Sequence, residues 1–171
     1  MGKIEGIKIQ NYDPLKNITL GKTRSDQNSK ALGNLIAVIG PSGNGKSTLA
    51  DAFGFMADCL EIGVEAACDV NNRGGFEKLV SQGANEPITF ELYYRESSNT
   101  RPITYELRID IDKMGRPYVK EERLRQRVQR YGWPRSFLHL QDGKGYAFEG
   151  GDKEESGQDD DGNIVGKKVE I

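Results

Sequence analysis

Residues 39–48 read Ile39-Gly40-Pro41-Ser42-Gly43-Asn44-Gly45-Lys46-Ser47-Thr48. This stretch fits the phosphate-binding pattern G-x-x-x-x-G-K-[ST] at every fixed position. Its glycines let the backbone adopt torsions that are closed to other residues, so that consecutive N–H groups can point at one anion. A helix that begins near Lys46 would add unpaired N–H groups and partial positive charge. The stretch therefore predicts a phosphate cradle.

The pattern assigns roles to individual side chains of this cradle. Lys46 is predicted to reach the β- and γ-phosphates, which makes it the candidate catalytic residue, and the Ser47 hydroxyl is predicted to bind Mg²⁺. The predicted nucleotide-binding residues are Gly40, Pro41, Ser42, Gly43, Asn44, Gly45, Lys46, Ser47 and Thr48. The predicted cofactors are ATP and Mg²⁺.

The sequence on both sides of the loop favours this interpretation. Residues 35–39, Leu-Ile-Ala-Val-Ile, form a continuous apolar run, which is typical of a parallel strand buried on both faces. After the loop, Leu49, Phe53, Met56 and Leu60 recur at helical spacing. The alternative, a glycine-rich turn in an unrelated fold, would not require a strand before the loop and a helix after it.

Composition describes one domain of ordinary size. The chain has 171 residues, of which 36% are hydrophobic and 29% are charged, and its net charge is −2. This balance gives no overall attraction to nucleic acid or to a membrane. No apolar run approaches the roughly 20 residues that span a bilayer, and the N-terminus resembles neither a signal peptide nor a myristoylation site. We expect a cytoplasmic protein that has no membrane partner.

The two cysteines, Cys59 and Cys68, are too few for a disulfide framework. With His139 as the single histidine, they cannot complete a zinc site of four Cys and His ligands. Both fall in or just after the predicted helix, so we interpret them as small buried hydrophobic residues.

Alternating patterns predict antiparallel strands before and after the phosphate loop. The predicted strands are residues 3–10, 15–20, 88–94, 105–111, 118–119, 137–140 and 146–148. We divide the chain into a phosphate-loop lobe over residues 1–150, of which 88–150 are mainly antiparallel β, an acidic flexible loop over 151–163, and the start of a strand over 164–171.

The order of these elements resembles one branch of the P-loop ATPases. The motif Ile7-x-Ile9-Gln10-Asn11-Tyr12, a polar gap, and the run from Asn34 to Phe53 are similar to the N-terminal lobe of RecF- and SMC-like ABC-type ATPases. Residues 72–76, Asn-Arg-Gly-Gly-Phe, and residues 79–84, Leu-Val-Ser-Gln-Gly-Ala, resemble a subset described as AAA-type ATPases. The resemblance is specific over residues 4–95.

This resemblance implies an α/β P-loop NTPase fold, the N-terminal lobe of an ABC ATPase head with an antiparallel β-subdomain. In that group a Walker-B strand ends in Asp-Glu, and a Ser-Gly-Gly signature from a second head caps the γ-phosphate. Neither motif is recognisable here: residues 107–110 alternate as a half-exposed strand does, and residues 148–151 lack the serine. We expect a first lobe that hydrolyses ATP hardly at all without its C-terminal lobe and a second head, in a homodimer.

The resemblance further implies a role in DNA repair or anti-phage defence, with DNA as a partner by analogy. Two other functions stay open. One is a P-loop nucleotide or small-molecule kinase, which would need an arginine-bearing lid and would be active in this chain alone. The other is a nucleotide-sensing interaction module without catalysis.

Several side chains outside the loop have two interpretations. Tyr12 could stack on adenine, but an aromatic residue at the end of a strand is more often part of the core. The glutamine that the resemblance places near the γ-phosphate could be Gln82 or Gln141. A basic cluster around Tyr131 and Trp133 could contact DNA, although a solvated face is favoured. Its members are Lys120, Arg123, Arg125, Arg127, Arg130 and Arg135.

Overall fold

The computed structural model describes residues 2–126, 135–149, 157–158, 164–165 and 167–171. The strands are β1 Lys3–Tyr12, β2 Leu15–Gly21, β3 Ile88–Arg95, β4 Ile103–Ile111, β5 Pro117–Gln126, β6 Arg135–Gln141, β7 Lys144–Glu149, β8 Gly157–Gln158, β9 Ile164–Val165 and β10 Lys167–Glu170. The helices are α1 Lys46–Ile62, α2 Val64–Asp69 and α3 Phe76–Leu79, with a 3₁₀ turn at Val70–Asn72.

Eight strands form one antiparallel sheet in the order β10-β7-β6-β5-β4-β3-β1-β2. Strand β1 pairs with β2 on one side and with β3 on the other, so the segment that contains the phosphate loop and the helices is inserted between paired strands. Strands β8 and β9 pair separately, which places residues 157–158 of the predicted acidic loop in a short hairpin. The rest of that predicted loop lies outside the described residues.

The structure confirms most of the strands that the alternating pattern predicts. Ile7 and Ile9 are fully buried on one face of β1, as their spacing predicts. Strand β5 is much longer than the predicted residues 118–119, because charged side chains obscure its pattern. These charges are paired across the sheet, as in the contact of Arg125 Nη1 with Glu106 Oε1 at 2.6 Å.

The core lies between α1 and the apolar face of β1, β3 and β4. Tyr12, Phe55 and Phe90 are fully buried at its centre, with ring centroids 5.4 to 5.9 Å apart. Tilted and edge-on ring pairs at such distances add attraction to the burial of apolar area. Tyr12 therefore belongs to the core, and the interpretation of Tyr12 as an adenine platform is wrong.

The run of residues 35–39 is not a strand, so the prediction of a buried parallel strand is wrong. Leu35 and Ile39 are each 92% exposed, and no described residue forms a backbone hydrogen bond with the run. A parallel strand is stable beside other strands, which satisfy its N–H and C=O groups and cover its side chains. No described strand pairs with residues 35–39.

Helix α1 is confirmed, but the residues that it buries differ from the predicted stripe. Ala52, Phe55 and Met56 are buried against the sheet, whereas Leu60, the last member of the stripe, is 65% exposed. The helix is apolar on two faces, and spacing alone cannot show which of them packs on the sheet. Every described helix is too short or too polar to cross a membrane.

We expect Phe90→Ala to lower the free energy of unfolding by about 3 to 5 kcal/mol, because it leaves a cavity between Tyr12 and Phe55. Urea unfolding followed by circular dichroism measures this loss. Met114→Ala is the control, since Met114 is 77% exposed and should change stability by less than about 0.5 kcal/mol. A similar effect of both substitutions would contradict the described core.

Candidate functional site: the phosphate loop and helix α1

The phosphate loop has the backbone torsions that its glycines predict. Gly43 and Gly45 have φ of +84° and +77°, which other residues rarely adopt. A Cβ atom at Gly43 would meet no heavy atom within 4 Å, so this side of the loop is open to a ligand. At Gly45 a Cβ atom would stand 2.7 Å from Leu15 and 3.2 Å from Pro14. The turn between β1 and β2 thus packs on the end of the loop and requires glycine there.

The start of α1 is suited to an anion. The helix begins at Lys46, and its first turn has neither an acidic residue nor a side-chain cap. Its first N–H groups therefore have no intrahelical partner, and no carboxylate of the first turn offsets the partial positive charge. These features fit a phosphate group without further assumption.

Lys46 and Ser47 stand at the entrance of this helix. The Lys46 ammonium donates a hydrogen bond to the carbonyl oxygen of Pro41 at 2.5 Å, so the side chain folds back over the loop. Ser47 is exposed at the second helical position, with its hydroxyl free to bind a metal ion. Residues 40–44 are exposed and Thr48 is partly buried. The hydrogen bond between Lys46 and the Pro41 carbonyl therefore links the two ends of the loop.

The two candidate glutamines stand in different places. Gln141 ends β6, which is four strands from β1 in the sheet, or roughly 20 Å at the usual strand spacing. Gln82 follows a segment in which Leu79 accepts a hydrogen bond from Asp13 at 2.8 Å. The segment before Gln82 is thus hydrogen-bonded to the β1–β2 turn, which also packs on Gly45.

The described members of the basic cluster are engaged within the sheet. Lys120 contacts Asp110 at 2.8 Å, Arg125 contacts Glu106, and the Arg123 Nε donates to the Ser136 hydroxyl at 2.7 Å. These contacts support the solvated face rather than a DNA interface. The other members of the cluster have no described side chain, and neither do Tyr131 and Trp133.

Both cysteines are free, with Cys68 buried and Cys59 partly buried. Burial raises the pKa of Cys59 to about 12 and that of Cys68 to about 11. Both thiols are therefore protonated at neutral pH, which confirms their interpretation as small hydrophobic residues.

An ionic cluster that the sequence did not predict lies beside this site. Arg73, whose side chain is 3% exposed, contacts Asp51 at 2.9 Å and Asp58 at 2.5 Å. The Tyr12 hydroxyl donates to Asp51 Oδ2 at 2.5 Å. The available signal was two aspartates seven residues apart, which lie about two turns apart on one face of a helix.

The chain matches the family model described as "AAA domain, putative AbiEii toxin, Type IV TA system" over residues 35–162, which is most of its length. No curated protein and no solved structure matches the chain. The matched range begins at the apolar run before the loop and includes the whole of α1.

We expect Asp51 to make the stability of the protein sensitive to acid. Burial raises the pKa of Asp51, but hydrogen bonds from Arg73 and Tyr12 outweigh burial and hold the pKa below its ordinary value. The resulting stabilisation is present above the unfolded pKa of about 3.9 and is lost as the pH falls through the folded pKa.

Asp51→Asn should therefore flatten the dependence of unfolding free energy on pH below about pH 5, which urea titrations at several pH values measure. The carboxyl groups of Asp26, Asp110 and Asp112 also have lowered pKa values, and they are present in both proteins. The difference between the two curves thus isolates Asp51. Parallel curves would show that Asp51 does not contribute.

Proposed function

The chain belongs to the AAA-domain family that matches residues 35–162 and is a P-loop ATPase-type, nucleotide-binding domain; from this premise we propose that it binds ATP with Mg²⁺ through residues 40–48. The observation that supports this ligand most directly is the phosphate loop itself. Gly43 and Gly45 have left-handed torsions, and an uncapped helix follows them. Lys46 stands beside the loop as the cation for phosphate.

The proposal gives each part of the loop a separate task. Backbone N–H groups at the end of the loop and at the first turn of α1 bind phosphate oxygens. Lys46 exchanges its hydrogen bond with the Pro41 carbonyl for one with the β- and γ-phosphates. The Ser47 hydroxyl supplies a ligand to Mg²⁺, which when bound neutralises charge on the phosphates.

Hydrolysis also needs a carboxylate that holds the metal shell and a group that orients the attacking water. The sequence has no recognisable Walker-B strand that ends in Asp-Glu and no Ser-Gly-Gly signature. We therefore propose that this chain is the nucleotide-binding lobe of a RecF- and SMC-like ABC-type ATPase, and that a C-terminal lobe completes the site.

Two uncovered apolar surfaces support a second lobe. Residues 35–39 expose both apolar side chains and unpaired backbone groups. The outer face of α1 carries Ala50, Gly54 and Ala57, which are exposed and uncharged. We propose that the C-terminal lobe adds strands beside residues 35–39 and covers this face of α1.

Two cavities lie beside residues 35–39, at the place where we propose that this run packs. One, of about 550 Å³, lies between this run and α1 and is lined by Val38, Leu49 and Lys46. The other, of about 570 Å³, is lined by Gly33, Phe53 and Tyr94. Ile36 and Phe53 line both cavities, so the run lies across a groove that it does not fill. Strand pairing would hold the run against this groove.

In the whole protein we propose that two such heads form a homodimer and enclose ATP between them. The description of the family names a toxin–antitoxin system, which favours a role in defence over one in DNA repair. DNA as a partner rests on the resemblance to RecF- and SMC-like proteins.

Lys46→Ala should weaken MgATP binding by at least about tenfold, because it removes the cation of the loop. Calorimetry with ATP and ADP measures the affinity, and phosphate release on the same samples measures turnover. Lys16→Ala is the matched control, since Lys16 is an exposed lysine on β2.

We expect turnover by this chain alone to be negligible. Rapid phosphotransfer or hydrolysis by the isolated chain would contradict the two-lobe proposal and favour the kinase. Equal affinity of Lys46→Ala and the parent chain would contradict the proposed binding site. Nucleotide-dependent self-association without hydrolysis, in a protein that also carries the C-terminal lobe, would favour the sensing module.

Paired substitutions test whether residues 35–39 are uncovered in this chain. Leu35→Lys with Ile39→Lys should change the unfolding free energy by less than about 0.5 kcal/mol, because both side chains are already in solvent. Ile9→Lys, which places a charge in the core, should abolish folding. A loss of several kcal/mol from the paired substitution would show that the run is packed.

A further inference from the structure

A buried arginine joins α1 to the segment that follows it. Arg73 lies between Asn72 and Gly74, and its side chain is 3% exposed. The flanking residues Asn71, Asn72, Gly74 and Gly75 all have φ between +57° and +92°. Glycine and asparagine are the residues that adopt such torsions most readily, so the sequence allows the chain to turn sharply on both sides of Arg73.

One edge of the guanidinium forms hydrogen bonds with the Asp51 carboxylate. Arg73 Nε lies 3.1 and 3.2 Å from the two carboxylate oxygens, and Nη2 lies 2.9 Å from Oδ1. The Tyr12 hydroxyl donates to Oδ2 of the same carboxylate. Asp51 is thereby held between β1 and the segment that follows α1, by a forked contact that fixes direction as well as distance.

The other end of the guanidinium reaches further along the helix. Nη1 donates to Asp58 Oδ2 at 2.5 Å and to the carbonyl oxygen of Ala67 at 2.9 Å. The guanidinium also lies 5.2 Å from the centre of the Phe55 ring. A Cβ atom on Gly54 would stand 3.5 Å from Nη2, in ordinary contact, so the arginine also passes close to the backbone of the helix. Arg73 thus spans about two turns of α1.

The charge of Arg73 is held by these partners. Burial lowers the pKa of Arg73, but hydrogen bonds to Asp51 and Asp58 outweigh burial and leave the pKa raised. The guanidinium is therefore charged at every pH at which the protein is folded. A buried charge of this kind is stable in one arrangement, because any other would leave it without a carboxylate.

We call the contacts of Arg73 with Asp51 and Asp58 the brace. The brace lies one turn from the proposed nucleotide site. Asp51 and Ser47 are four residues apart in α1, so they stand on the same side of the helix in successive turns. The first turn of α1 has no side-chain cap of its own. Its position therefore depends on the packing of Gly45 against Pro14 and Leu15 and on the anchor at the next turn.

We propose that Arg73 is a positioning residue for the phosphate loop. By holding Asp51 against Tyr12, it fixes the first two turns of α1, and with them Lys46 and Ser47, before nucleotide binds. This inference rests on the proposed function of the loop. It assigns to Arg73 no contact with nucleotide, since its guanidinium is buried among protein groups.

Two substitutions remove the brace, and a third provides a matched control. Arg73→Met keeps the length of the side chain and removes its charge and its fork, whereas Asp51→Asn keeps shape and removes the carboxylate. Arg95→Met breaks another forked pair, between Arg95 and Glu5 at 2.6 and 3.3 Å. That pair lies near the start of β1, whereas Tyr12 ends the strand.

The first measurement is hydrogen exchange of backbone amides in the nucleotide-free protein. Arg73→Met and Asp51→Asn should increase exchange of residues 49–52, whose amides are the first to be hydrogen-bonded in α1, by about tenfold or more over the parent chain, since the first turns of α1 lose their anchor. Arg95→Met should leave exchange of residues 49–52 unchanged, even where it lowers the melting temperature as much.

The second measurement is MgATP affinity at a temperature where each variant is folded. Arg73→Met and Asp51→Asn should weaken binding by about tenfold, with Arg73→Lys in between because it keeps the charge and loses the fork. Asp58→Asn should weaken binding less than Asp51→Asn, because Asp58 lies about three turns from Ser47.

The inference is overturned if Arg73→Met and Arg95→Met lower the melting temperature alike while exchange of residues 49–52 stays at the parental level. Failure of the parent chain to bind MgATP would contradict the proposed function, and the exchange comparison would still decide whether Arg73 holds the loop. If Arg73→Met does not fold, Asp51→Asn and Arg73→Lys carry the same comparison.

Discussion

Helix α1 is apolar on two opposite faces, and the described residues cover one of them. Phe55 and Met56 are buried against the antiparallel sheet, whereas Ala50, Gly54 and Ala57 face outward. Burial of one apolar face fixes where the helix lies, because this face forms most of the core with β1, β3 and β4. The same burial sets the position of the phosphate loop, since the loop ends where the helix begins.

Ion pairs join side chains on the face of the sheet that is opposite α1. Glu106 is nearly buried and lies 2.6 Å from Arg125 and 3.2 Å from Arg24. Arg24 belongs to the segment between β2 and the phosphate loop, and its backbone N–H donates to Glu91 at 2.7 Å. These contacts tie that segment to the sheet shortly before residues 35–39. The run that follows is half-exposed in its middle, at Ile36 and Val38, and almost fully exposed at its two ends, Leu35 and Ile39.

The sequence predicts the parts of this structure whose patterns are local. Glycines at 43 and 45 followed by Lys46 predict the loop and the start of α1, because a left-handed backbone and an uncapped helix require particular residues at particular places. Period-two alternation predicts β3 and β4, because successive side chains of a strand point to opposite faces of the sheet. The buried face of α1 could not be predicted, since both faces are apolar and the choice depends on which sheet is present.

Contacts between residues that are far apart in the chain could not be predicted from the sequence either. The pairing of Arg73 with Asp51 and Asp58 joins residues that a chain reversal brings together, and no spacing rule connects an arginine in a turn to a helix two elements earlier. Residues 35–39 show the opposite failure. Their apolar pattern predicts a strand, but that prediction is wrong, because a strand needs a neighbour to pair with and the run belongs to no described sheet.

The position of this unpaired run has a mechanical consequence for the proposed ATPase. Ile39 is followed at once by Gly40, so any partner that pairs with residues 35–39 acts on the first residue of the phosphate loop through one peptide bond. The end of the loop is fixed independently, by Gly45 against Pro14 and by the brace on α1. One side of the cradle is thus preformed, and the other depends on what pairs with the run. Nucleotide binding and docking of a second lobe would then favour the same arrangement of residues 40–45. By linkage, each would strengthen the other.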